Sequence, residues 1–147
     1  VYENHLGHIS FIQDDSLELC RSLKEKGFKQ YIVTNGTIDV QKTKLRETGF
    51  DQIIDIAFIS DEIGVPKPMI GFFEICFKAI FGTAKPDEKQ RSTVLIIGDS
   101  LSSDMKGGVN AGIDRCWYRN PGEENPEAIP VTYEISHLSQ ILDILQN

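Results

Sequence analysis

The 147-residue sequence is poor in the patterns that mark secreted, membrane-spanning and nucleic-acid-binding proteins. Its three cysteines, Cys20, Cys76 and Cys116, are odd in number and far apart, which argues against a disulfide framework and a Cys-rich metal site. No apolar run approaches the length of a membrane span, and the first residues lack the basic-then-apolar pattern of a signal peptide. We therefore expect a cytoplasmic protein that does not associate with membranes.

Positive charge is also scarce. The formal net charge is -7, and no run of Lys and Arg could neutralise a nucleic-acid backbone, so we expect no nucleic-acid polymer as a partner. Small anionic ligands stay compatible with this charge, because a few local donors and a metal ion can outweigh it. The content of 40% hydrophobic and 25% charged residues is ordinary for a single globular domain of this length.

Apolar periodicity predicts strands and helices in alternation along most of the chain. The predicted strands are 28–33, 53–59, 94–97 and 114–118, and the predicted helices are 15–26, 38–48, 69–81, one beginning near 104, and 136–145. This alternation is typical of a parallel sheet covered on both faces, a three-layer Rossmann-like α/β fold. Residues 1–12 show no clear period, and His5, His8 and His137 are interpreted as ordinary surface or packing residues.

Two carboxylates stand out at the end of the 94–97 strand. Asp99 follows the strand after Gly98, and Asp104 comes five positions later at the predicted start of a helix. Two carboxylates that converge without a cation between them repel each other, and a hard divalent ion such as Mg²⁺ would hold them together. The alternative is that Asp99 is a turn residue and Asp104 an acid favoured by the helix dipole.

Two further predicted strands end in hydroxyl residues. Thr34 closes one strand and Ser60 another, so both are expected at the sheet edge where Asp99 lies. Lys67 follows in a loop stiffened by two prolines, and it could meet an anion or the carboxylates at that edge. Taken singly, Lys67 could equally be a solvated loop lysine.

Asn35 and Gly36 extend the first of these strand ends. The successive backbone N–H groups of Thr34-Asn35-Gly36, ahead of a predicted helix, are typical of an anion-binding nest, although the same residues also suit a plain turn. The three strand ends together predict one site for a small anionic ligand.

The order of these motifs resembles motifs two, three and four of the haloacid dehalogenase-like hydrolase superfamily. The resemblance covers residues 13–147, and the end of the chain is most similar to the phosphatase branch near the pyrimidine nucleotidases. The residues that carry it are Thr34-Asn35-Gly36, then Ser60-x-Glu62-x-Gly64 leading to Lys67-Pro68, then Gly98-Asp99-Ser100 with Asp104, and Gly108-x-x-Ala111-Gly112.

The resemblance implies a Mg²⁺-dependent phosphomonoesterase that works through an aspartyl-phosphate on a small phosphorylated metabolite. It implies phosphate binding by Thr34, Asn35, Gly36 and Lys67, catalytic roles for Thr34 and Lys67, and metal binding by Asp99 and Asp104.

The family's first motif, a strand followed by Asp-x-Asp that supplies the nucleophile, is missing. Its nearest imitation ends in Asp14 and Asp15, which are adjacent and would point to opposite sides of an extended chain. We therefore expect residues 1–12 to be the end of a cap or linker, and residues 13–147 to be a core without its first strand and most of its cap. The slot for that strand should then be empty. Either a preceding segment of the same enzyme fills it, which is the interpretation we favour, or the two flanking strands close up and pair directly with each other. A smaller departure is Met69 after Lys67-Pro68, where the family usually has an acid.

Other functions stay open at this point. A module without a nucleophile could bind phosphate and metal for regulation, and a phosphomutase of the same fold differs only in the absent cap. A dehalogenase of this fold needs no metal, so the paired Asp99 and Asp104 argue against it. A receiver domain needs its lysine after its acids, whereas Lys67 precedes Asp99.

Overall fold

The computed structural model describes the backbone of residues 5–8 and all atoms of residues 16–145, which form a six-stranded sheet with helices between strands. The strands are β1 (His5–His8), β2 (Lys29–Thr34), β3 (Ile56–Ile59), β4 (Val94–Gly98), β5 (Asp114–Tyr118) and β6 (Tyr133–Ile135). The helices are α1 (Ser16–Glu25), α2 (Ile38–Thr48), α3 (Ser60–Ile63), α4 (Ile70–Phe81), α5 (Glu88–Arg91), α6 (Lys106–Ala111) and α7 (Gln140–Leu145). All pairings are parallel in the order β3-β2-β1-β4-β5-β6, which confirms the predicted α/β class.

The centre of the sheet is held by β1, which lies between β2 and β4. His5 is opposite Lys29 on one side and Val94 on the other. The prediction of an empty slot is therefore wrong. The sequence His-Leu-Gly-His has no β-branched residue and no strand period, so local propensity gave no signal. Without β1, the facing edges of β2 and β4 would have unpaired N–H and C=O groups. Residues 5–8 form a strand because their backbone pairs with the groups of both neighbours.

The sheet is covered on both faces, as predicted. Val94 and Ile96 point to one face, where they pack with the aromatic side of α4 and with the end of α6. The alternate residues Leu95 and Ile97 pack on the other face with α1 and α7. Leu45 of α2 joins α1 on this second face. The period of two along β4 thus produces three layers.

Helix boundaries agree best with prediction where glycine ends the helix. The helix α2 spans the predicted residues 38–48 and stops at Gly49, which has a φ of 85° that favours glycine. The predicted helix 69–81 is observed as α4, one residue shorter at its start. None of the helices in residues 16–145 is long and apolar enough to cross a membrane.

Short elements near the carboxyl end differ from prediction. Neither β6 nor α5 was predicted, because three- and four-residue elements are too short to show a period. The helix α7 begins at Gln140 and not at residue 136. The N–H groups of Ser136 and His137 donate to Oε1 of Gln140, so these residues cap the helix instead of forming its first turn.

Close packing of α6 depends on two glycines. A Cβ atom on Gly107 would lie 2.6 Å from Cζ of Phe73 in α4, and one on Gly108 would lie 2.9 Å from Cγ2 of Ile96 in the sheet. The small residues predicted after Asp104 therefore allow the helix to approach both neighbours.

The variant Gly107→Ala is expected to lower the free energy of unfolding by about 1–3 kcal/mol, because the buried Phe73 ring must move. Urea denaturation measures this change. Gly71→Ala in α4 is the matched control, since its Cβ would meet only Val65 at 3.5 Å. Removing a helical glycine there should be neutral or stabilise by up to about 1 kcal/mol. Equal stability of the two variants would contradict the packing account.

Candidate active site at the strand ends

Three polar residues lie where strands β2, β3 and β4 end. Thr34 is the last residue of β2, Ser60 directly follows β3, and Asp99 directly follows β4. Since the strands are parallel and Thr34 lies opposite Ile59 in the register, these residues share one edge of the sheet. This is the edge at which open α/β sheets bind ligands.

The loop after β2 is fastened to its neighbours by hydrogen bonds. The side chain of Asn35 donates from Nδ2 to the carbonyl of Lys67 at 3.0 Å, and the Lys67 N–H donates back to Oδ1 at 2.9 Å. The Gly36 N–H donates to Oγ of Ser60 at 3.1 Å. No hydrogen bond joins the hydroxyl of Thr34 to any of residues 16–145.

The start of α2 is capped from another element. Its own N-cap residue, Thr37, makes no side-chain hydrogen bond to the helix. Instead, the Ile38 N–H donates to Oδ2 of Asp61 at 3.1 Å, and Lys42 forms an exposed 3.0 Å ion pair with Glu62. The short helix α3 therefore holds the loop after β2 in register with the loop after β3.

Lys67 is not a solvated loop lysine. It is 7% exposed, and Nζ donates to the carbonyl of Val33 at 3.0 Å and to Oδ1 of Asp104 at 2.6 Å. An ammonium group has three N–H donors, so one remains after these two bonds. The ammonium group thus lies between the end of β2 and the turn after β4.

Asp104 is the buried partner of this ion pair. It lies in a single widened turn, Leu101–Met105, and its Oδ2 accepts a 3.3 Å hydrogen bond from the Ser100 N–H. Burial raises the pKa of Asp104 above its usual value, and the charge of Asp99 raises it further. The Lys67 ammonium and the Ser100 N–H oppose this rise in pKa because they favour the carboxylate form.

Asp99 offers a second carboxylate that is half-buried. Its backbone carbonyl accepts a 3.2 Å hydrogen bond from Nε1 of Trp117, while its carboxylate makes no hydrogen bond or ion pair with residues 16–145. The charge of this carboxylate acts on Asp104 and contributes to the raised pKa of that buried group.

The donor set fits Mg²⁺. Among residues 16–145, no three side chains of His, Cys, Asp or Glu converge on one point. Mg²⁺ does not require three, because it commonly binds one or two carboxylates and completes its shell with water and substrate phosphate. A carboxylate accepts about four hydrogen bonds. Asp104 therefore keeps lone pairs for a metal ion beside the bonds to Lys67 and Ser100.

Open cavities flank the strand ends on both sides. One of about 420 Å³ includes Asp99, Ser100 and Glu123 in its lining. Another of about 340 Å³ includes Gly36 and Ser60. Both volumes lie within the range of small-molecule sites, about 300–1,000 Å³.

Hydrogen bonds join three of the six predicted site residues, Asn35, Lys67 and Asp104. Thr34 and Gly36 are the chain neighbours of Asn35, and Asp99 follows β4 at the same edge of the sheet. The sequence places Ser60 at a strand end but does not indicate its hydrogen bond with Gly36. It also does not indicate the hydrogen bonds near the site that involve Asp61, Ser100 and Trp117. The acids Asp14 and Asp15, considered above as nucleophiles, lie outside the described residues.

Comparison with known proteins adds independent support for the family. A model of the haloacid dehalogenase-like hydrolases matches residues 2–112. The HAD-hydrolase YfnB of Bacillus subtilis is 40% identical over 133 residues, which are 90% of this chain and 53% of that protein. The pyrimidine 5′-nucleotidase YjjG of Escherichia coli is 38% identical over 114 residues, covering 78% of this chain and 48% of the relative. The chain thus spans about half the length of these curated relatives.

Solved structures agree with this assignment. A crystal structure of YfnB from Bacillus subtilis, bound to magnesium, has a TM-score of 0.82 and 36% identity over 92% of this chain and 56% of that one. A HAD phosphatase from Thermococcus onnurineus has a TM-score of 0.75 and 26% identity over 90% of this chain and 57% of that one. The matched family model and the identity to YfnB together show that the chain belongs to the haloacid dehalogenase-like hydrolases.

Proposed function

We propose that the strand ends form the phosphoryl-transfer site of a Mg²⁺-dependent phosphomonoester hydrolase. The observation that carries the proposal is the buried pair of Lys67 and Asp104, which brings one free ammonium N–H to the edge where Thr34 and Asp99 lie. A buried charge pair is costly to form, so its position at a ligand-binding edge favours a functional role. Relatives described as pyrimidine 5′-nucleotidases support a small phosphorylated substrate.

Each residue has a separate task in this proposal. The third N–H of Lys67 binds and neutralises the phosphoryl oxygens, and the hydroxyl of Thr34 donates a second hydrogen bond to them. Asn35 offers its backbone N–H. Binding of phosphate by Gly36 stays a prediction, since its N–H already donates to Ser60.

Asp99 and Asp104 would hold Mg²⁺, whose charge would polarise the phosphoryl group and orient the substrate. Asp104 would then share its carboxylate between the metal ion and Lys67. The contact with Lys67 would serve this sharing, because the ammonium favours the carboxylate form of Asp104, which is the form that binds a cation.

Strand β1 supplies no candidate for the nucleophile. Its sequence, His-Leu-Gly-His, has no acidic residue. We propose that the nucleophilic aspartate of the complete enzyme is not in this chain and that the chain alone does not turn over substrate.

A second candidate is a regulatory module that binds phosphate and Mg²⁺ without catalysis. The lack of an acid in β1 favours it, since binding needs only Lys67, Thr34 and the two carboxylates. The two functions differ in one measurable respect, because only the enzyme releases phosphate.

The test is an assay of phosphate release from pyrimidine nucleoside 5′-monophosphates, with Mg²⁺ and with a chelator. It uses the protein and the protein extended by any coding sequence that precedes Val1. We expect Mg²⁺-dependent release from the extended form, and binding of inorganic phosphate without release by the 147-residue chain. Binding without release in both forms would favour the regulatory module, and no binding by either would overturn both candidates.

A further inference from the structure

The side-chain amide of Asn35 is engaged by the main chain of Lys67. Its Nδ2 donates to the Lys67 carbonyl at 3.0 Å, while its Oδ1 accepts from the Lys67 N–H at 2.9 Å. The amide therefore satisfies both main-chain groups of one residue, as a neighbouring strand would. Only the second N–H of Nδ2 stays unused in this pair.

Lys67, the residue held in this way, carries the buried ammonium group at the strand edge. The Lys67 side chain is 5% exposed, and its Nζ bonds to the Val33 carbonyl and to Asp104. A lysine side chain has four rotatable carbon–carbon bonds and reaches one point only if its backbone is also fixed. Asn35 fixes that backbone, so the ammonium and the main chain of Lys67 are anchored at opposite ends.

We propose that Asn35 is a positioning residue whose side chain fixes Lys67 and acts on phosphate only through it. The resemblance above implied instead that Asn35 holds the phosphoryl oxygens. The two roles differ chemically, because a direct ligand donates an amide N–H to a phosphoryl oxygen, whereas the observed amide uses its oxygen and one of its two N–H groups to hold the main chain of Lys67. The expected effect of Asn35 on phosphate binding rests on the proposed function, whereas its expected effect on the Lys67 ammonium group does not.

Asn110 provides a matched control. Its Nδ2 donates at 2.9 Å to the carbonyl of Pro68, the residue next to Lys67, but it makes no hydrogen bond to Lys67 itself. Replacement of Asn110 by alanine thus removes the same type of side chain and one bond to the same loop.

The experiment measures the Lys67 ammonium group by ¹H–¹⁵N NMR and the affinity for inorganic phosphate, in the presence of Mg²⁺, by calorimetry. The variant Lys67→Arg identifies the ammonium signal, since it removes the lysine and keeps a cation. In the unmodified protein the buried, hydrogen-bonded ammonium should exchange slowly and give a sharp signal. We expect Asn35→Ala to lose this signal and to weaken phosphate binding about tenfold, whereas Asn110→Ala keeps both.

The ammonium signal and the phosphate affinity together distinguish the possible roles of Asn35. Loss of the signal together with phosphate affinity supports the positioning role. Weaker phosphate binding with an unchanged signal would show that Asn35 is a direct ligand, and an unchanged signal with unchanged affinity would show that it is neither. Loss of the signal without loss of affinity would show that the position of the Lys67 ammonium does not affect phosphate binding. That result would overturn the claim that Asn35 acts on phosphate through Lys67. If the unmodified protein binds no phosphate, the proposed function fails, while the signal still decides whether Asn35 positions Lys67.

A folding defect in Asn35→Ala is recognised by near-UV circular dichroism. In that case Asn35→Asp is used, because it keeps the acceptor for the Lys67 N–H and loses the donor to the Lys67 carbonyl. It should reduce the ammonium signal while the protein stays folded, and a full signal would overturn the proposal.

Discussion

Replacement of Lys67 by methionine is expected to lower the free energy of unfolding by about 3–5 kcal/mol at neutral pH. Methionine keeps the apolar stem and removes the ammonium, so the carboxylate of Asp104 is left unpaired at 2% exposure. The carbonyl of Val33 also loses its hydrogen bond. Urea denaturation at pH 7 measures the loss.

The loss should depend on pH in a defined direction. Burial raises the pKa of Asp104 above its ordinary value, and Lys67 opposes the rise. Without Lys67 the folded-state pKa rises further above the unfolded-state value. Folding then favours the protonated form, so stability is greatest below the unfolded pKa and falls as the pH rises through the folded pKa. The penalty of Lys67→Met should therefore shrink as the pH is lowered towards about 4.

Lys78→Met is the control for this comparison. Lys78 is exposed and donates only to the carbonyl of Gly82 at 3.0 Å. Its replacement should cost less than about 1 kcal/mol and show no comparable pH dependence. Equal losses for the two lysine variants would show that the buried pair has no special energetic role.

The second large effect is expected for Asp99→Asn in the form of the enzyme that releases phosphate. This change removes one charge from the proposed metal site and keeps the size of the side chain. Mg²⁺-dependent phosphatase activity should fall by about 100-fold or more, because an amide is a much weaker ligand for a hard cation than a carboxylate. Phosphate release at saturating Mg²⁺ measures the effect.

The fold of this variant should be unaffected, since the Asp99 carboxylate makes no hydrogen bond or ion pair with residues 16–145. Thermal unfolding checks this point. Asp51→Asn is the matched control, because Asp51 is exposed in the turn between α2 and β3, away from the strand ends. Unchanged turnover by Asp99→Asn would remove Asp99 from the metal site.

The features that could be predicted from sequence are those that depend on local pattern. The period of α2 and the glycine after it fix that helix. The buried apolar run of β4 places Asp99 at a strand end, and the same reasoning places Thr34, because strands that alternate with helices in a parallel sheet all end at one edge. The class of fold and the edge that carries the site follow from these few segments.

Contacts that depend on tertiary structure could not be predicted. The central strand β1 has no strand pattern of its own and is explained by the unpaired groups of β2 and β4. The pairing of Asn35 with the main chain of Lys67 joins residues 32 positions apart. Nothing in the order of residues indicates that Trp117 would donate to the carbonyl of Asp99. These contacts depend on how two loops meet in space, which no local period records.

The most direct test is a ¹H–¹⁵N NMR titration of the protein with inorganic phosphate and Mg²⁺. If one magnesium-phosphate site lies at the strand ends, the backbone signals of Thr34, Lys67, Asp99 and Asp104 should shift together, and each ligand should tighten the binding of the other. The contradicting result would be shifts confined to a distant surface, such as the cavity of about 640 Å³ lined by Ile70 and Val109, with those four signals unchanged.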